Sequence, residues 1–282
     1  MNRLRQSNPP VVLITGTSSG IGRACATYLH QRGYRIYGTC RHAVARSPVD
    51  PPPPEAFPVI PMDVTSDASV ATGVQTLLAR EGRLDAVVNN AGISLIGAVE
   101  DTSLAEARLQ LETNFFGVLR VCQHVLPTMR QQQAGCIVNM SSMGGRIGLP
   151  FQAIYSASKF ALEGFSEALR LEVRPYGIRV VLIEPGDCRT AMTAHRQIAR
   201  GAQPMSVYRH RFTQVRAVIE ANEAHGLAPE RIAYQVERIL RQASPRLRYP
   251  IGRVVERMGL RLKPVMPSAW FEGVMRWYYR LR

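Results

Sequence analysis

The chain has 282 residues, of which 46% are apolar and 20% charged, proportions that are ordinary for a globular protein large enough to bury a sizeable core. Its net charge of +14 favours attraction to phosphates, acidic membranes or nucleic acid but does not indicate a fold. The apolar runs fall far short of the roughly 18 residues of a membrane span. Residues 1–9 are a polar tail without a secretory pattern, so we expect a cytoplasmic protein.

Five cysteines without paired short spacing predict reduced thiols. The six histidines lack the spacing of metal ligands, which argues against a metal site. Nucleic-acid binding is not expected either, because no module interleaves the basic residues with aromatic side chains on which bases stack.

The first strong pattern is a short apolar run, Val11–Ile14, followed by a glycine-rich turn and a helical pattern that stops at Gly33. In doubly wound folds this order presents backbone N–H groups and a helix N-terminus to a pyrophosphate. The glycines have the spacing GxxxGxG. The predicted nucleotide-binding turn comprises Gly16, Thr17, Ser18, Ser19, Gly20, Ile21 and Gly22.

The second predicted strand covers residues 34–39 and is followed by Arg41, with no acidic residue nearby. An acid at this place binds the ribose 2′-hydroxyl of NAD, whereas an arginine accommodates the 2′-phosphate of NADP. Arg41 therefore favours NADP(H) over NAD(H), since a guanidinium grips phosphate with two hydrogen bonds. A merely solvated arginine is the alternative. Residues 47–58 are rich in proline and predict a stiff surface connection.

Strand and helix patterns continue to alternate along the chain. Strands are predicted over 59–62, 84–88, 136–140 and 178–183, with helices over 66–80, 104–131 and 155–174. This alternation predicts an α/β, doubly wound, mostly parallel sheet of the Rossmann type with helices on both faces. No linker divides the pattern, so we expect one catalytic domain over residues 10–252.

Two segments near the end of the chain depart from the alternation. Residues 187–228 lack clear periodicity and follow the carboxyl end of a strand, which predicts a substrate lid. A helix is predicted from Pro229, and a last edge strand over 248–251. Residues 253–282 form a basic extension with seven cations and two acids.

The extension carries an apolar stripe at helical spacing, which predicts an amphipathic helix. The stripe comprises Trp270, Phe271, Val274, Trp277, Tyr278 and Leu281. It is expected to pack on the core or close the substrate pocket, to make a dimer contact, or to lie on an acidic membrane surface.

Tyr155 and Lys159 stand four residues apart on a predicted helix, so the phenol and the ammonium share one face. A cation beside a phenol is expected to lower the phenol's pKa from about 10 and make it a usable proton donor or acceptor. Only one other lysine occurs in the chain, Lys263. Taken alone, an ordinary helical pair is the alternative.

The motifs together resemble those of the short-chain dehydrogenase/reductase family over roughly residues 10–190. TGTSSGIG resembles its cofactor loop, NNAG at 89–92 its fourth-strand motif, and Pro185-Gly186 with Thr190 its PGxxxT motif. The resemblance implies that the turn binds the dinucleotide together with a further set of residues. That set is Arg41, Asp63, Val64, Asn90, Ala91, Gly92, Tyr155, Lys159, Pro185, Gly186 and Thr190.

The resemblance also implies a catalytic set of Ser142, Tyr155, Lys159 and Asn114. Ser142 lies thirteen residues before Tyr155 and would stabilise a developing alkoxide, while Tyr155 would act as general acid or base. Lys159 would lower the pKa of the tyrosine and hold the ribose hydroxyls. Asn114 would anchor a water that passes protons to Lys159, unless it only bonds backbone. Asp63 is either an adenine-side acid or a cap of the following helix.

These observations predict an NADP(H)-dependent oxidoreductase that interconverts a carbonyl and an alcohol on a fairly large apolar substrate. The alternatives are an NAD-dependent alcohol dehydrogenase of the same fold and a non-catalytic NADP-sensing or scaffold protein. The last third of the chain loosely resembles lipid-active members of the family. The resemblance further implies a homodimer or homotetramer.

Overall fold

A computed structural model describes residues 8–41, 57–190 and 196–281. Part of the polar tail, most of the proline-rich connection and His195 lie outside the described residues. The strands are β1 (Val11–Ile14), β2 (Arg35–Cys40), β3 (Val59–Pro61), β4 (Ala86–Asn89), β5 (Leu95–Ile96), β6 (Gly135–Met140), β7 (Ile178–Pro185), β8 (Gln197–Ile198) and β9 (Arg248–Ile251). The helices are α1 (Gly20–Gln31), α2 (Asp67–Glu81), α3 (Leu104–Leu111), α4 (Gly117–Gln132), α5 (Ala153–Val173), α6 (Arg209–Ala224), α7 (Pro229–Leu240), α8 (Val254–Leu262) and α9 (Ser268–Tyr278).

Seven of these strands form one parallel sheet in the order β3-β2-β1-β4-β6-β7-β9, and β5 pairs with β8 apart from it. The strand order reverses between β1 and β4, which is the switch point where ligands bind in doubly wound folds. The predicted fold class is confirmed, and the predicted last strand at 248–251 is the edge strand β9.

Two apolar layers cover the sheet, and the alternation of side chains along each strand assigns residues to them. In β1, Val11 and Leu13 pack with α2, α4 and α5, whereas Val12 and Ile14 pack with α1 and α7. All four residues are buried, because the strand has a helix layer on each face.

The predicted helix start at Ser66 is confirmed. The Ser66 hydroxyl accepts a hydrogen bond from the backbone N–H of Ser69 at 3.3 Å, which satisfies one free donor of the first turn of α2. The helix ends at Gly82, whose φ of 64° suits a residue without a Cβ.

The predicted continuous helix over 104–131 is wrong in one respect. A π-helical turn, Glu112–Phe116, separates α3 from α4 and contains Asn114. One extra residue in a turn rotates the side chains that follow, and such turns occur frequently at functional sites.

Residues 187–228 lack clear periodicity in the sequence, yet their second half contains the helix α6, which spans sixteen residues. Phe212, Val215 and Ile219 form its buried face at spacings of three and four. The basic extension folds as two helices, α8 and α9. Among the described residues, no helix has both the length and the apolar character needed to cross a bilayer.

Candidate active site

The glycine turn lies after β1, at the edge where the parallel strands end. Gly16 has a φ of +71°, and a Cβ at this position would lie 2.9 Å from the Cα of Ala91. A Cβ at Gly22 would lie 2.2 Å from the carbonyl oxygen of Gly16, so α1 starts in direct contact with the turn. This close backbone approach is what a pyrophosphate-binding turn requires.

Hydrogen bonds fasten the NNAG segment to this turn. The Asn90 amide donates to the carbonyls of Thr15 at 2.9 Å and Gly16 at 3.1 Å. The Thr15 hydroxyl accepts from the backbone N–H groups of Asn90 and Ala91, each at 3.0 Å. Asn90 therefore orients the turn, and Thr15 is a positioning residue that sequence reasoning did not single out.

A cavity of about 690 Å³ brings most of the predicted site residues together. Three predicted residues do not line it. Thr17 is buried and its hydroxyl donates to the Thr39 carbonyl at 3.3 Å, Gly22 packs under the turn, and Asn114 lies behind the cavity wall. The predicted residues that line the cavity are Gly16, Ser18, Ser19, Gly20, Ile21, Arg41, Asp63, Val64, Asn90, Ala91, Gly92, Ser142, Tyr155, Lys159, Pro185, Gly186 and Thr190.

Ser142 and Tyr155 meet in this cavity. The Ser142 hydroxyl accepts from the backbone N–H of Gly144 at 3.0 Å. Burial raises the pKa of the Tyr155 phenol, and the neighbouring Ser142 hydroxyl, which favours the phenolate by hydrogen bonding, offsets only part of that shift. The expectation of a lowered pKa is therefore wrong, and the tyrosine carries a proton at neutral pH.

Lys159 does not offset this effect, because its ammonium lies 5.9 Å from the centre of the Tyr155 ring and donates to the Met140 carbonyl at 2.8 Å. Burial lowers the pKa of Lys159 to about 8, while the nearby Glu163 carboxylate opposes that shift. The lysine is thus largely cationic at pH 7, and it stands beside the phenol without bonding to it.

Asn114 is fully buried and clamps the segment that follows the NNAG motif. Its side-chain oxygen accepts from the Ile93 N–H at 2.9 Å, and its amide donates to the Ile93 carbonyl at 3.0 Å and to the Ser158 hydroxyl at 3.2 Å. The structure therefore gives Asn114 the backbone-bonding geometry of the alternative interpretation. A role in proton transfer stays a prediction.

At the other end of the cavity, the Asp63 carboxylate accepts from the backbone N–H of Thr65 at 2.9 Å and from its hydroxyl at 2.8 Å. The following helix is capped by Ser66, so Asp63 shapes the turn before the cap. Arg41 is exposed at the end of β2 and lines the same part of the cavity.

The residues present fit a dinucleotide. The glycine turn leaves room for close approach, Asp63 and Val64 border the cavity beyond it, and Arg41 adds a cation suited to phosphate. No group of histidine, cysteine and carboxylate side chains suited to a metal ion occurs within 8–41, 57–190 and 196–281.

The remainder of the cavity is walled by residues of the segment 187–228 and of the extension. Its apolar lining comes from α6, α8, α9 with the residue that follows it, and the loop before α5: Ile147, Leu149, Ile219, Val255, Phe271, Val274, Met275 and Tyr279. The predicted apolar stripe is divided, because Phe271 and Tyr278 face the cavity while Trp270 and Trp277 are 72% and 76% exposed.

Four charged residues that line the cavity were not found from the sequence: Asp187, Arg196, Glu223 and Glu256. They come from distant segments without a shared motif, so only the fold brings them together.

The family model of the short chain dehydrogenases matches residues 10–201. The 3-ketodihydrosphingosine reductase of Bacteroides thetaiotaomicron is 37% identical, with 97% of this chain and 99% of that protein covered. Retinol dehydrogenase 8 of Bos taurus is 34% identical over 85% of this chain and 80% of its own.

The fold is similar to that of solved structures as well. A short-chain dehydrogenase from Streptomyces avermitilis superposes with a TM-score of 0.79 at 32% identity, covering 95% of this chain and 98% of that one. Because 95% of this chain is covered, the likeness is not confined to the nucleotide-binding half.

Proposed function

Because this chain belongs to the short-chain dehydrogenase/reductase family and is an oxidoreductase of CH–OH groups, we propose that it interconverts a carbonyl and an alcohol on a large apolar substrate with NADP(H). The observation that carries the proposal is the meeting of Ser142, Tyr155 and Lys159 in one cavity with the glycine turn. A protein that only senses the cofactor has no need of this arrangement.

The preference for NADP(H) is supported by Arg41, the cation at the end of β2. We expect Arg41→Asp to weaken NADPH binding at least about tenfold, since a charge-assisted contact to phosphate is lost and an acid is introduced. Affinity for NADH, measured on the same variant by fluorescence titration, is the internal control. An unchanged ratio of the two affinities would favour the NAD-dependent alternative.

When bound, NADPH supplies the hydride. Ser142 and Tyr155 line the same cavity, so a substrate carbonyl oxygen bound there would be within reach of both hydroxyl groups. Ser142 donates a hydrogen bond that stabilises the developing alkoxide, and Tyr155 transfers its proton to that oxygen. In the oxidation of an alcohol, Tyr155 as phenolate accepts the proton instead. Lys159 maintains positive charge beside the phenol.

The test is NADPH consumption with a panel of lipophilic ketones. Tyr155→Phe should reduce kcat/KM about 10²- to 10⁴-fold, the usual contribution of general acid catalysis, with NADPH affinity retained. Tyr234→Phe on α7, where Tyr234 is half exposed, is the matched control and should change nothing. NADPH binding without turnover of any ketone or alcohol would contradict the enzymatic function and favour a non-catalytic NADP-sensing or scaffold protein.

The apolar substrate is supported by the lining that α8 and α9 give the cavity. The outer face of the same helices supports a peripheral contact with acidic membranes, where a lipophilic substrate is taken up. We propose a cytoplasmic enzyme that works at such a surface.

We further propose a homodimer or homotetramer, as the family resemblance implies. Exposed apolar side chains on the π-helical turn and α5, namely Phe116, Phe160 and Leu171, support an interface there. Light scattering after gel filtration measures the mass, and a monomer at micromolar concentration would contradict this assignment.

A further inference from the structure

Arg248, the first residue of the edge strand β9, holds three carboxylates. Its Nε lies 2.8 Å from Glu163 Oε2 and 3.3 Å from Glu184 Oε1, and its Nη2 pairs with Glu167 Oε1. Glu163 and Glu184 are buried, whereas the side chain of Glu167 is 54% exposed. One guanidinium therefore connects the surface with two carboxylates inside the fold, where an unpaired charge is costly.

Glu163 lies one helical turn after Lys159 on α5, a spacing at which a carboxylate and an ammonium can pair. Within the described residues no ion pair joins them. The Lys159 ammonium donates to the Met140 carbonyl at 2.8 Å, and Glu163 Oε2 is bound by Arg248. Glu163 Oε1 is buried without a hydrogen-bond partner. A buried carboxylate oxygen without a partner is costly, so other contacts have to maintain this arrangement.

The carboxylate of Glu163 is held by Arg248 and by close packing. A Cβ at Gly145, in the turn after Ser142, would lie 3.2 Å from Glu163 Cγ and 3.0 Å from the Lys159 carbonyl oxygen. This turn therefore packs closely on α5 and limits the movement of the Glu163 stem. Among the described residues, the polar contact that sets the direction of the carboxylate is the one with Arg248.

The charges in this region act on Lys159 from a distance. Burial lowers the pKa of Lys159 to about 8, and the Glu163 carboxylate opposes that shift without pairing. Burial and the charge of Glu163 raise the pKa of Glu184, while Arg146 and Arg248 oppose that rise. Glu163 thus favours the ammonium form of Lys159 and leaves its position unchanged.

We propose that Arg248 is a positioning residue for the reaction, because it diverts Glu163 from Lys159 and so leaves the ammonium beside Tyr155. The ammonium now lies 5.9 Å from the centre of the Tyr155 ring. Without Arg248, the Glu163 carboxylate would pair with Lys159 directly and draw it away from the phenol. This inference rests on the proposed function and adds to it a residue of β9 that does not line the cavity.

The first test measures the pKa of Lys159 without turnover. The chain has two lysines, so isotope-labelled lysine gives two side-chain NMR signals, and Lys263→Arg identifies that of Lys159. Arg248→Met should raise the pKa of Lys159 by at least about one pH unit, because a direct ion pair favours the ammonium and a nearby cation is removed. Glu167→Gln is the matched control. It removes only the exposed partner of Arg248 and should leave the pKa unchanged.

Activity gives a second measurement, in which Glu163→Gln should rescue Arg248→Met. The comparison is made at about pH 6, where the lysine is cationic in each variant. Arg248→Met should lower kcat for a neutral ketone at least about tenfold, since a misplaced charged group weakens general acid catalysis. In the double variant no carboxylate captures the lysine, so kcat should return to that of Glu163→Gln. A residue that only stabilises the fold would give additive losses.

Folding of the variant is supported by a second partner of Glu184, because Arg146 Nη1 lies 3.2 Å from Glu184 Oε1. If Arg248→Met does not fold, Arg248→Lys takes its place. One ammonium cannot bond to three carboxylates as the guanidinium does, so the pKa of Lys159 should rise in the same direction.

An unchanged or lower pKa of Lys159 in the Arg248 variant would overturn the proposal. So would a double variant that is no more active than Arg248→Met, since that result indicates a structural role. If the pKa rises as expected but the wild type turns over no ketone or alcohol, Arg248 still keeps Glu163 from Lys159 and the proposed function fails.

Discussion

At the scale of single residues, burial decides the protonation of the Tyr155–Lys159 pair. Sequence spacing correctly placed them on one helix, yet proximity alone predicted the wrong direction for the tyrosine. Burial disfavours both the phenolate and the ammonium, so it raises the pKa of the first and lowers that of the second. A protonated phenol beside a cation is the state that reduction of a carbonyl uses.

This pair predicts a pH profile for the reduction. Lys159 loses its charge above its pKa of about 8, whereas Tyr155 keeps its proton there, so kcat/KM for a neutral ketone should fall above about pH 8. Glu163 raises the pKa of Lys159, and Glu163→Gln should therefore move the falling limb to lower pH. Glu167→Gln, which removes the more exposed partner of Arg248, is the control. A limb that stays in place or moves upward in Glu163→Gln would contradict this account.

Asn114 is the second residue whose role needs a test. Its hydrogen bonds to the Ile93 backbone are those of a structural residue, whereas the family resemblance predicts a catalytic role. Gln110 offers a matched comparison, since it bonds to the Leu95 N–H at 2.8 Å and to the Ile93 carbonyl at 2.7 Å. Asn114→Ala and Gln110→Ala should each lower the free energy of unfolding by about 1–3 kcal/mol, because buried backbone groups lose partners. Urea denaturation measures this.

Activity then separates the two roles. If Asn114 also carries protons toward Lys159, Asn114→Ala should lose far more kcat than Gln110→Ala at similar stability. Equal losses of kcat would leave Asn114 as a clamp of the Ile93 segment only.

At the scale of elements, the strands and helices with the most extensive buried faces were the easiest to predict from the sequence. Strands such as β1 and β7 are covered on both faces, so each forms an apolar run in the sequence. The helix α7 was predictable because it begins with a proline and has a broad apolar face. The apolar face of α6 is narrow and comprises Phe212, Val215 and Ile219. The charged residues around it are typical of a loop. Its spacing was present in the sequence but too sparse to stand out.

The charged residues beside the cavity, Asp187, Arg196, Glu223, Arg253 and Glu256, illustrate a stronger limit. They come from the end of β7, the segment before β8, the helix α6 and the start of α8, and the contact between Asp187 and Arg253 joins residues 66 positions apart. No local sequence pattern predicts contacts between residues so far apart in the chain. Likewise, the local sequence over 104–131 predicts a continuous helix and does not indicate the π-helical turn around Asn114.

The start of α1 yields a test at this scale. Gly22→Ala would set a Cβ 2.2 Å from the Gly16 carbonyl oxygen and 2.4 Å from the Asn90 amide, so the helix has to move away from the turn. We expect a loss of about 1–3 kcal/mol in the free energy of unfolding and weaker NADPH binding. Gly164→Ala is the control, because a Cβ at that exposed position on α5 has open space. It should stabilise by about 0.5–1 kcal/mol. Equal melting temperatures of the two variants would refute the contact.

At the scale of the whole molecule, α8 and α9 have one face toward the cavity and one toward the solvent. Phe271, Met275 and Tyr278 face the cavity, whereas Val265, Trp270 and Trp277 are exposed. Exposed arginines flank the outer face: Arg257, Arg261, Arg276 and Arg280. A surface that combines bulky apolar side chains with cations is suited to the interface of an acidic bilayer. The same two helices would then connect the membrane with the substrate cavity.

This arrangement predicts binding to vesicles that contain anionic lipid, and it assigns separate roles to charge and apolar contact. Trp270→Ser with Trp277→Ser should weaken cosedimentation at least about tenfold, because two large apolar groups no longer enter the interface. Salt should weaken binding of the wild type, since the arginines act through screened attraction. Tyr234→Ser, an exposed aromatic on α7, is the control and should bind as the wild type does. Vesicle binding that the tryptophan variants retain in full would mean that net charge alone draws the protein to the surface, and the outer face of α9 would have no part in substrate uptake.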